Sequence, residues 1–160
     1  MADDPPVDPA DVDSLDAIIN ALYASVSFAA GERPNWSRFR ALFQPRALLI
    51  RATPSPASGD DESGGGATYS DIEGYVTRTT AAIDSGALTA FTERELSRRT
   101  EVFADIAQVF SAYERSADEG EVVRGINSLQ LVKDRDRWWI VTLSWTDERS
   151  DAPLPNRYLR

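Results

Sequence analysis

Apolar residues recur every three or four positions in the first part of the chain, which is the spacing of one face of an α-helix. Asp13 or Ser14 can cap this first helix, and Gly31 is expected to end it. The apolar stripe of the helix consists of Leu15, Ile18, Ile19, Leu22 and Val26.

Two shorter patterns predict two further helices. Asn35 begins a short stretch, residues 35–43, in which three aromatic residues share one face. Ser70 and Glu73 have the spacing of a capping box, so a third helix is expected to begin there and to end at Gly86.

From Leu88 onward the pattern changes to an alternation of apolar and polar positions, which is typical of strands. Four strands are expected here, in addition to one from about Ala47, and the charged turn at residues 133–136 joins the last two as a hairpin. Helices first and antiparallel strands afterwards predict an α+β fold, in which a curved, mixed or antiparallel sheet carries the helices on one face.

The composition of the two ends and of one internal segment sets the expected domain limits. Residues 1–12 are acidic and rich in proline, and residues 54–67 are rich in serine, glycine and acids, so neither can contribute to a core. We therefore expect a disordered tail over 1–12, one domain over 13–149 with a mobile loop at 54–67, and a C-terminal tail over 150–160.

Charge and residue usage exclude several classes of function. The chain has no cysteine and no histidine, which removes disulfides, thiolate nucleophiles, histidine bases and most zinc sites, so no metal or cofactor is expected. Its net charge of −9 repels phosphate and anionic lipid, which argues against binding to nucleic acid or to a membrane surface. No basic-apolar leader or long apolar run is present, and we expect a cytoplasmic protein.

The order of the elements carries a resemblance to a known family. The order is a long helix ending in Ala-Gly, a short helix ending in ALF, a strand, a loop, a capped helix and then four strands ending in RWWIVTLSW. As a whole, this order resembles that of the nuclear-transport-factor-2-like superfamily. That superfamily includes the SnoaL-like polyketide cyclases and the ketosteroid isomerases, and the resemblance covers residues 14–148. It implies a cone of curved sheet closed by helices (an α+β barrel), a pocket inside the cone, and often a homodimer paired through the outer face of the sheet.

Alternation of side chains across the strands predicts what lines such a cone. The in-phase sets are Ala107, Val109, Ser111 and Tyr113; Asn127, Leu129 and Leu131; and Trp139, Val141, Leu143 and Trp145. If these side chains face inward, they form apolar walls with a few polar groups, which is the composition of a small-molecule pocket. The alternative is that the same side chains fill an ordinary packed core. The candidate ligand-binding residues are Tyr23, Trp36, Ser111, Tyr113, Asn127, Trp139 and Trp145.

The catalytic groups that the resemblance implies are incomplete in this chain. In ketosteroid isomerases a carboxylic acid and a tyrosine donate hydrogen bonds to a developing oxyanion while an aspartate moves the proton. The position of the acid falls on Asn127, and the tyrosine corresponds to Tyr23, about one residue out of register. The expected aspartate near the first strand is missing. Asp147, in phase with Trp145, is the remaining candidate base.

Two glutamates could form a second acidic pair. Glu93 and Glu95 lie two residues apart on one strand face, hence about 7 Å apart, near the spacing of paired glycosidase acids. Because Arg98 and Arg99 follow closely, we interpret them as exposed acids beside arginines. The expected pocket therefore contains an amide but no ionisable proton carrier.

Three functions are compatible with these patterns. The leading hypothesis is a small-molecule-binding protein with an apolar pocket inside the cone and no assigned catalytic activity. One alternative is an isomerase, cyclase or dehydratase that acts on a lipophilic ketone or polyketide with Asp147 as base. The other is a structural dimerisation module whose cone is filled by side chains.

Overall fold

The structure is a computed structural model, and it describes residues 6–53 and 66–160. Within these residues the elements are α1 (Leu15–Val26), α2 (Trp36–Ala41), β1 (Phe43–Thr53), β2 (Gly66–Ser70), α3 (Ile72–Asp84), β3 (Phe91–Phe103), β4 (Ile106–Ala117), β5 (Val123–Asp134) and β6 (Arg137–Asp147). Short 3-10 helices, Pro9–Asp11 and Asn156–Tyr158, flank them. The predicted order of helices and strands is confirmed, and β2 is a strand that the pattern did not predict.

The six described strands form one mixed sheet in the order β2-β1-β6-β5-β4-β3. β1 runs parallel to β6, and every other neighbouring pair is antiparallel. The α1 helix contacts β3 and β6 while α3 contacts β1 and β2, so the helices cover one face of the sheet. The α+β prediction is confirmed, although the sheet is open at β2 and β3 and does not close into a complete barrel.

Side-chain caps explain where the three helices begin. Ser14 caps α1 and Asn35 caps α2, as predicted, because each side chain accepts a hydrogen bond from a backbone N–H three residues further on. The predicted capping box at α3 is wrong. Asp71 is the cap of α3, and its carboxylate accepts from a backbone N–H at 2.7 Å, while Glu73 binds an arginine of α2 instead of folding back onto Ser70.

An irregular pairing between β5 and β6 changes which tryptophan faces the core. Leu129 pairs with Leu143 but Leu131 pairs with Ile140, so β6 contains one residue more than β5 across this interval. The extra residue reverses the phase of the first half of β6. Consequently Trp138 is buried in the core, and the prediction that Trp139 faces inward is wrong. Trp139 lies on the opposite face, where the guanidinium of its neighbour Arg137 lies over the ring.

Both segments expected as tails contribute buried residues where they are described. Val12 is buried, and its carbonyl accepts a hydrogen bond from the backbone N–H of Trp138 at 2.9 Å. Leu154 and Tyr158 are buried against Ala112 on the outer side of the sheet. Apolar side chains at the ends therefore extend the packed unit beyond residues 13–149.

Some predictions fall on residues that are not described. These are residues 1–5 of the expected tail and residues 54–65 of the expected loop, whereas Gly66 already belongs to β2. Among the helices that the structure does describe, none has both the length and the apolar character needed to cross a bilayer.

Candidate functional site

A cavity of about 200 Å³ lies between the inner face of the sheet and the helices. Its walls are mostly apolar, with a few polar side chains among them. The lining residues are Leu22, Val26, Phe39, Arg51, Tyr75, Phe91, Glu93, Tyr113, Arg115, Asn127, Leu143 and Trp145. This combination of apolar walls and a few converging polar groups is that of a small-molecule site.

An amide and a carboxyl group meet in this cavity. Glu93 follows Phe91 on the inner face of β3, and Asn127 comes from β5 with only 5% of its surface exposed. The predicted inward orientation of Asn127 is confirmed. Its Nδ2 donates one hydrogen bond to Glu93 Oε1 at 2.9 Å and another to the hydroxyl of Tyr23 at 3.1 Å.

A chain of buried and partly buried hydrogen bonds sets the orientation of that amide. Arg98 donates to Glu95 at 2.9 Å, and Ser111 donates its hydroxyl proton to the other oxygen of Glu95. Because the serine proton is used there, Tyr23 must donate its own proton to Ser111, whose oxygen is 2.7 Å away. The oxygen of Tyr23 is then an acceptor, so Asn127 presents its NH₂ group to Tyr23 and to Glu93.

Glu93 is a carboxyl group buried in the wall of this cavity. Burial raises the pKa of Glu93 to about 7, and the hydrogen bond from Asn127 and the charge of Arg115 offset only part of that effect. Near neutral pH this side chain can therefore hold or release a proton inside the cavity. The prediction that the pocket contains no ionisable proton carrier is wrong.

A second polar cluster surrounds Asp147 beside the cavity. Arg115 donates two hydrogen bonds to its carboxylate, at 3.0 and 2.6 Å, and the hydroxyl of Tyr113 donates a third at 2.7 Å. Burial alone would raise the pKa of Asp147, but the hydrogen bonds from Arg115 and Tyr113 outweigh it and lower that pKa. Asp147 therefore remains ionised and fully engaged, which makes it a poor proton acceptor.

Glycine at position 125 allows this cluster to form. Gly125 faces both Tyr113 and Asp147 in the strand register, and the ring of Tyr113 passes over it to reach the carboxylate. A β-carbon at Gly125 would overlap the hydroxyl of Tyr113 and the backbone carbonyl of Thr146. The close approach of these groups requires a residue without a side chain.

The predicted ligand-binding residues divide into three groups. Tyr113, Asn127 and Trp145 line the cavity. Tyr23 and Ser111 are buried behind it in the hydrogen-bond chain. Trp36 packs edge-on against two aromatic rings, Phe39 and Tyr75, that belong to the wall, and Trp139 lies on the other face of the sheet.

Three charged residues of the cavity wall were missed as site residues: Arg51, Glu93 and Arg115. Arg51 and Arg115 had a signal in the sequence, because each continues an alternating set that is otherwise buried. Glu93 had none, because the residues in phase with it on β3 are only partly buried. The interpretation of Glu93 and Glu95 as exposed acids is wrong for both. Glu95 does bind Arg98, yet its side chain is only 18% exposed and accepts from buried Ser111.

The described residues hold no group of three or more histidine, cysteine, aspartate or glutamate side chains that could bind a metal ion.

Comparisons with known proteins identify the fold. Neither the protein-family models nor the curated proteins give a match. Among solved structures, a hexachlorocyclohexane dehydrochlorinase, LinA-type3, from Novosphingobium barchaimii is 13% identical, with a TM-score of 0.59 over 82% of this chain and 82% of that one.

Two further structures match over similar lengths. A protein from Xanthomonas campestris, assigned as a calcium/calmodulin-dependent protein kinase II association domain, is 13% identical, with a TM-score of 0.57 over 85% of this chain and 86% of that one. An NTF2-like protein of unknown function from Shewanella baltica is 14% identical, with a TM-score of 0.51 over 83% of this chain and 92% of that one. These likenesses agree with the order of the elements, and this chain therefore has the cone fold of the nuclear-transport-factor-2-like superfamily.

Proposed function

We propose that this protein binds a compact, mostly apolar small molecule inside the cone. The observation that carries the proposal is the cavity itself, whose apolar walls surround the paired Asn127 and Glu93 side chains. The hydrogen-bond chain behind Asn127 holds these groups in one arrangement, so a ligand would meet polar groups that are already oriented. A cone filled by side chains would leave no space beyond that of a water, which argues against a purely structural module.

The volume limits the size of the ligand. An apolar cavity of about 150 Å³ is enough to hold benzene, and the cavity here measures about 200 Å³. Drug-sized ligands usually occupy about 300 Å³ or more. The dimensions therefore support a molecule with a single ring or a short branched chain, rather than a steroid or a polyketide.

Filling the cavity should abolish binding. Val26 lies in the cavity wall at the end of α1, and Val26→Phe would place a ring in the space that a ligand needs. We expect one-ring compounds such as phenol, acetophenone or benzoate to change the fluorescence of Trp145 saturably, and their Kd to rise roughly tenfold or more in Val26→Phe.

The exposed Val122 gives a matched control, because Val122→Phe adds the same ring outside the cavity and should leave the Kd unchanged. The proposal is rejected if no compound of the panel gives a saturable response, or if Val26→Phe binds as tightly as the wild type.

A second candidate function is proton transfer on such a ligand, as in an isomerase. The observation that favours it is the pKa of Glu93, which burial raises to about 7, because a general base works best when its pKa is near the working pH. Solvent deuterium exchange into the acidic C–H of a small ketone tests this function. Glu93→Gln should reduce that exchange to the rate without protein, and an unchanged rate would exclude Glu93 as the base.

We also infer that two copies of the chain pair through the outer face of the sheet. Ile106 and Phe110 lie on the face of β4 opposite the core and are 57% and 42% exposed, beside Phe103 at the end of β3. Exposed apolar groups in such number mark interaction surfaces. A matched structure is named as an association domain, which supports self-assembly for this fold.

Light scattering tests the pairing. The wild type is expected to show the mass of two chains and Phe110→Glu the mass of one, because the new charge would be buried without a partner. A single-chain mass for the wild type at high concentration would reject the homodimer.

A further inference from the structure

An arginine on the wall of the cavity indicates what kind of ligand enters it. Ala47 and Leu49 are buried on the inner face of β1, and Arg51, two residues after Leu49, lies on the same face of the strand. Arg51 also pairs in register with Trp145, another residue of the cavity wall. Its guanidinium therefore belongs to the inner side of the sheet, at the mouth of the cavity.

The donors of this guanidinium are available to a ligand. Within residues 6–53 and 66–160, Arg51 makes no side-chain hydrogen bond, and its one ion pair is a 3.9 Å approach to Asp147. Asp147 is already occupied by two hydrogen bonds from Arg115 and one from Tyr113. A guanidinium offers five N–H donors in a planar fork, which suits the two oxygens of a carboxylate.

The charged side chains around the cavity favour a ligand with one negative charge. Arg115 and Asp147 balance each other as a close pair. Once Asp147 is paired with Arg115, the carboxyl group of the cavity lining that remains to oppose the charge of Arg51 is Glu93, and burial disfavours the ionised form of that carboxyl. Whenever Glu93 carries its proton, the cavity has a surplus of one positive charge, which matches a monoanion better than a doubly charged phosphate.

We propose that the ligand is a compact monocarboxylate whose carboxylate binds Arg51 and whose apolar part packs against Leu143 and Trp145, with Glu93 taking up a proton as the anion enters. This inference rests on the proposed binding function and adds the chemical class of the ligand. Because a carboxylate and an ionised Glu93 would repel each other across this small space, the two negative charges should exclude each other.

The pH dependence of binding follows from the groups around Glu93. The charged or titratable groups that face it are Tyr23 from α1, Tyr75 from α3, Arg51 from β1, Glu95 from its own strand, Tyr113 and Arg115 from β4, and Asp147 from β6. Burial raises the pKa of all three tyrosines, which therefore stay neutral, while the pKa of Asp147 is lowered, so it stays ionised. Affinity for a carboxylate should then fall as the pH rises through about 7, where Glu93 loses its proton.

Calorimetric titration with benzoate and its neutral isostere benzamide tests the proposal. Benzoate is expected to bind the wild type more tightly than benzamide does, and more tightly at about pH 6 than at about pH 8. Arg51→Gln should raise the Kd of benzoate roughly tenfold or more and leave that of benzamide within about twofold. Arg46→Gln, at an exposed arginine of the same strand, is the matched control and should change neither. In Glu93→Gln the affinity for benzoate should no longer depend on pH.

The outcomes separate this inference from the function on which it rests. If benzamide binds as tightly as benzoate and Arg51→Gln binds benzoate like the wild type, the cavity binds small molecules but does not select a carboxylate, and the inference is overturned. If neither compound nor any other member of the one-ring panel binds, the proposed binding function fails as well.

Discussion

Glu93→Gln should make the protein more stable than the wild type at about pH 8, by roughly 2–3 kcal/mol. The reason is that burial raises the pKa of Glu93 from 4.5 to about 7, so that ionising it in the folded protein costs more than ionising it in the unfolded chain. Glutamine has the same shape and keeps an oxygen that can accept from Asn127, but it carries no charge. The substitution therefore removes an electrostatic cost without opening a cavity.

The sign of the pH dependence distinguishes this explanation from a general packing effect. Below about pH 4.5 the Glu93 carboxyl is protonated in both the folded and the unfolded state and costs nothing. Between about 4.5 and 7 the unfolded chain releases this proton while the folded protein retains it, so the wild type loses stability as the pH rises. Above about pH 7 the difference between wild type and variant should be constant.

Urea unfolding of both proteins across this pH range measures the difference. Glu101→Gln, at an exposed glutamate of the same strand, is the matched control and should follow the wild type at every pH. Parallel pH profiles for wild type and Glu93→Gln would show that Glu93 is not held in a raised-pKa environment. A variant that is more stable but no longer exchanges ligand protons would show that the protein keeps this costly carboxyl for chemistry.

Gly125→Ala should destabilise the protein by about 3 kcal/mol, because the added methyl group has no space between two strands. It would overlap the backbone carbonyl of Thr146, which the pairing of β5 with β6 holds in place, and the hydroxyl of Tyr113. Relief would require Tyr113 to move away from Asp147 or the strands to separate. Either movement would also disturb the cavity wall to which Tyr113 belongs.

Gly74→Ala is the matched control for this effect. A β-carbon there would be 3.1 Å from the carboxylate oxygen of Asp71 that caps α3 and 3.3 Å from the β-carbon of Ser70, and a shift of a few tenths of an ångström would relieve both contacts. Since alanine favours a helix over glycine, we expect a change of less than about 1 kcal/mol in either direction. Thermal unfolding of the two variants measures both effects, and equal stabilities would contradict the crowding at Gly125.

Much of the fold could be predicted because its signals are local. The stripe of α1, the caps Ser14 and Asn35, and the charged turn before β6 each depend on residues within a few positions of one another. Alternation also placed Asn127 on the inner face correctly, because β4 and β5 pair without irregularity around it. Sequence patterns therefore predict side-chain orientation correctly where a helix or strand keeps its regular period.

The candidate site was predicted less well because it depends on distant contacts. Glu93 has the sequence surroundings of an exposed acid, with Arg94 beside it. The inner face of β3 becomes a cavity wall because the helices cover it, and this burial raises the pKa of Glu93. The alternation of buried and exposed positions already indicated that Arg51 and Arg115 face inward. Their ion pairs could not be predicted, because both are made with Asp147, which comes from another strand.

By itself the sequence determined the two periodicities and the order of three helices and the later strands. It also determined the absence of histidine and cysteine, which removes imidazole and thiol groups from the side chains available for chemistry. Only the tertiary structure decided that Trp138 rather than Trp139 is buried, since one extra residue in β6 reverses the phase there. It alone also decided that a glutamate lies inside the cone. The physical reason is that desolvation and strand register are set by the elements that pack against a residue, and those elements are far away along the chain.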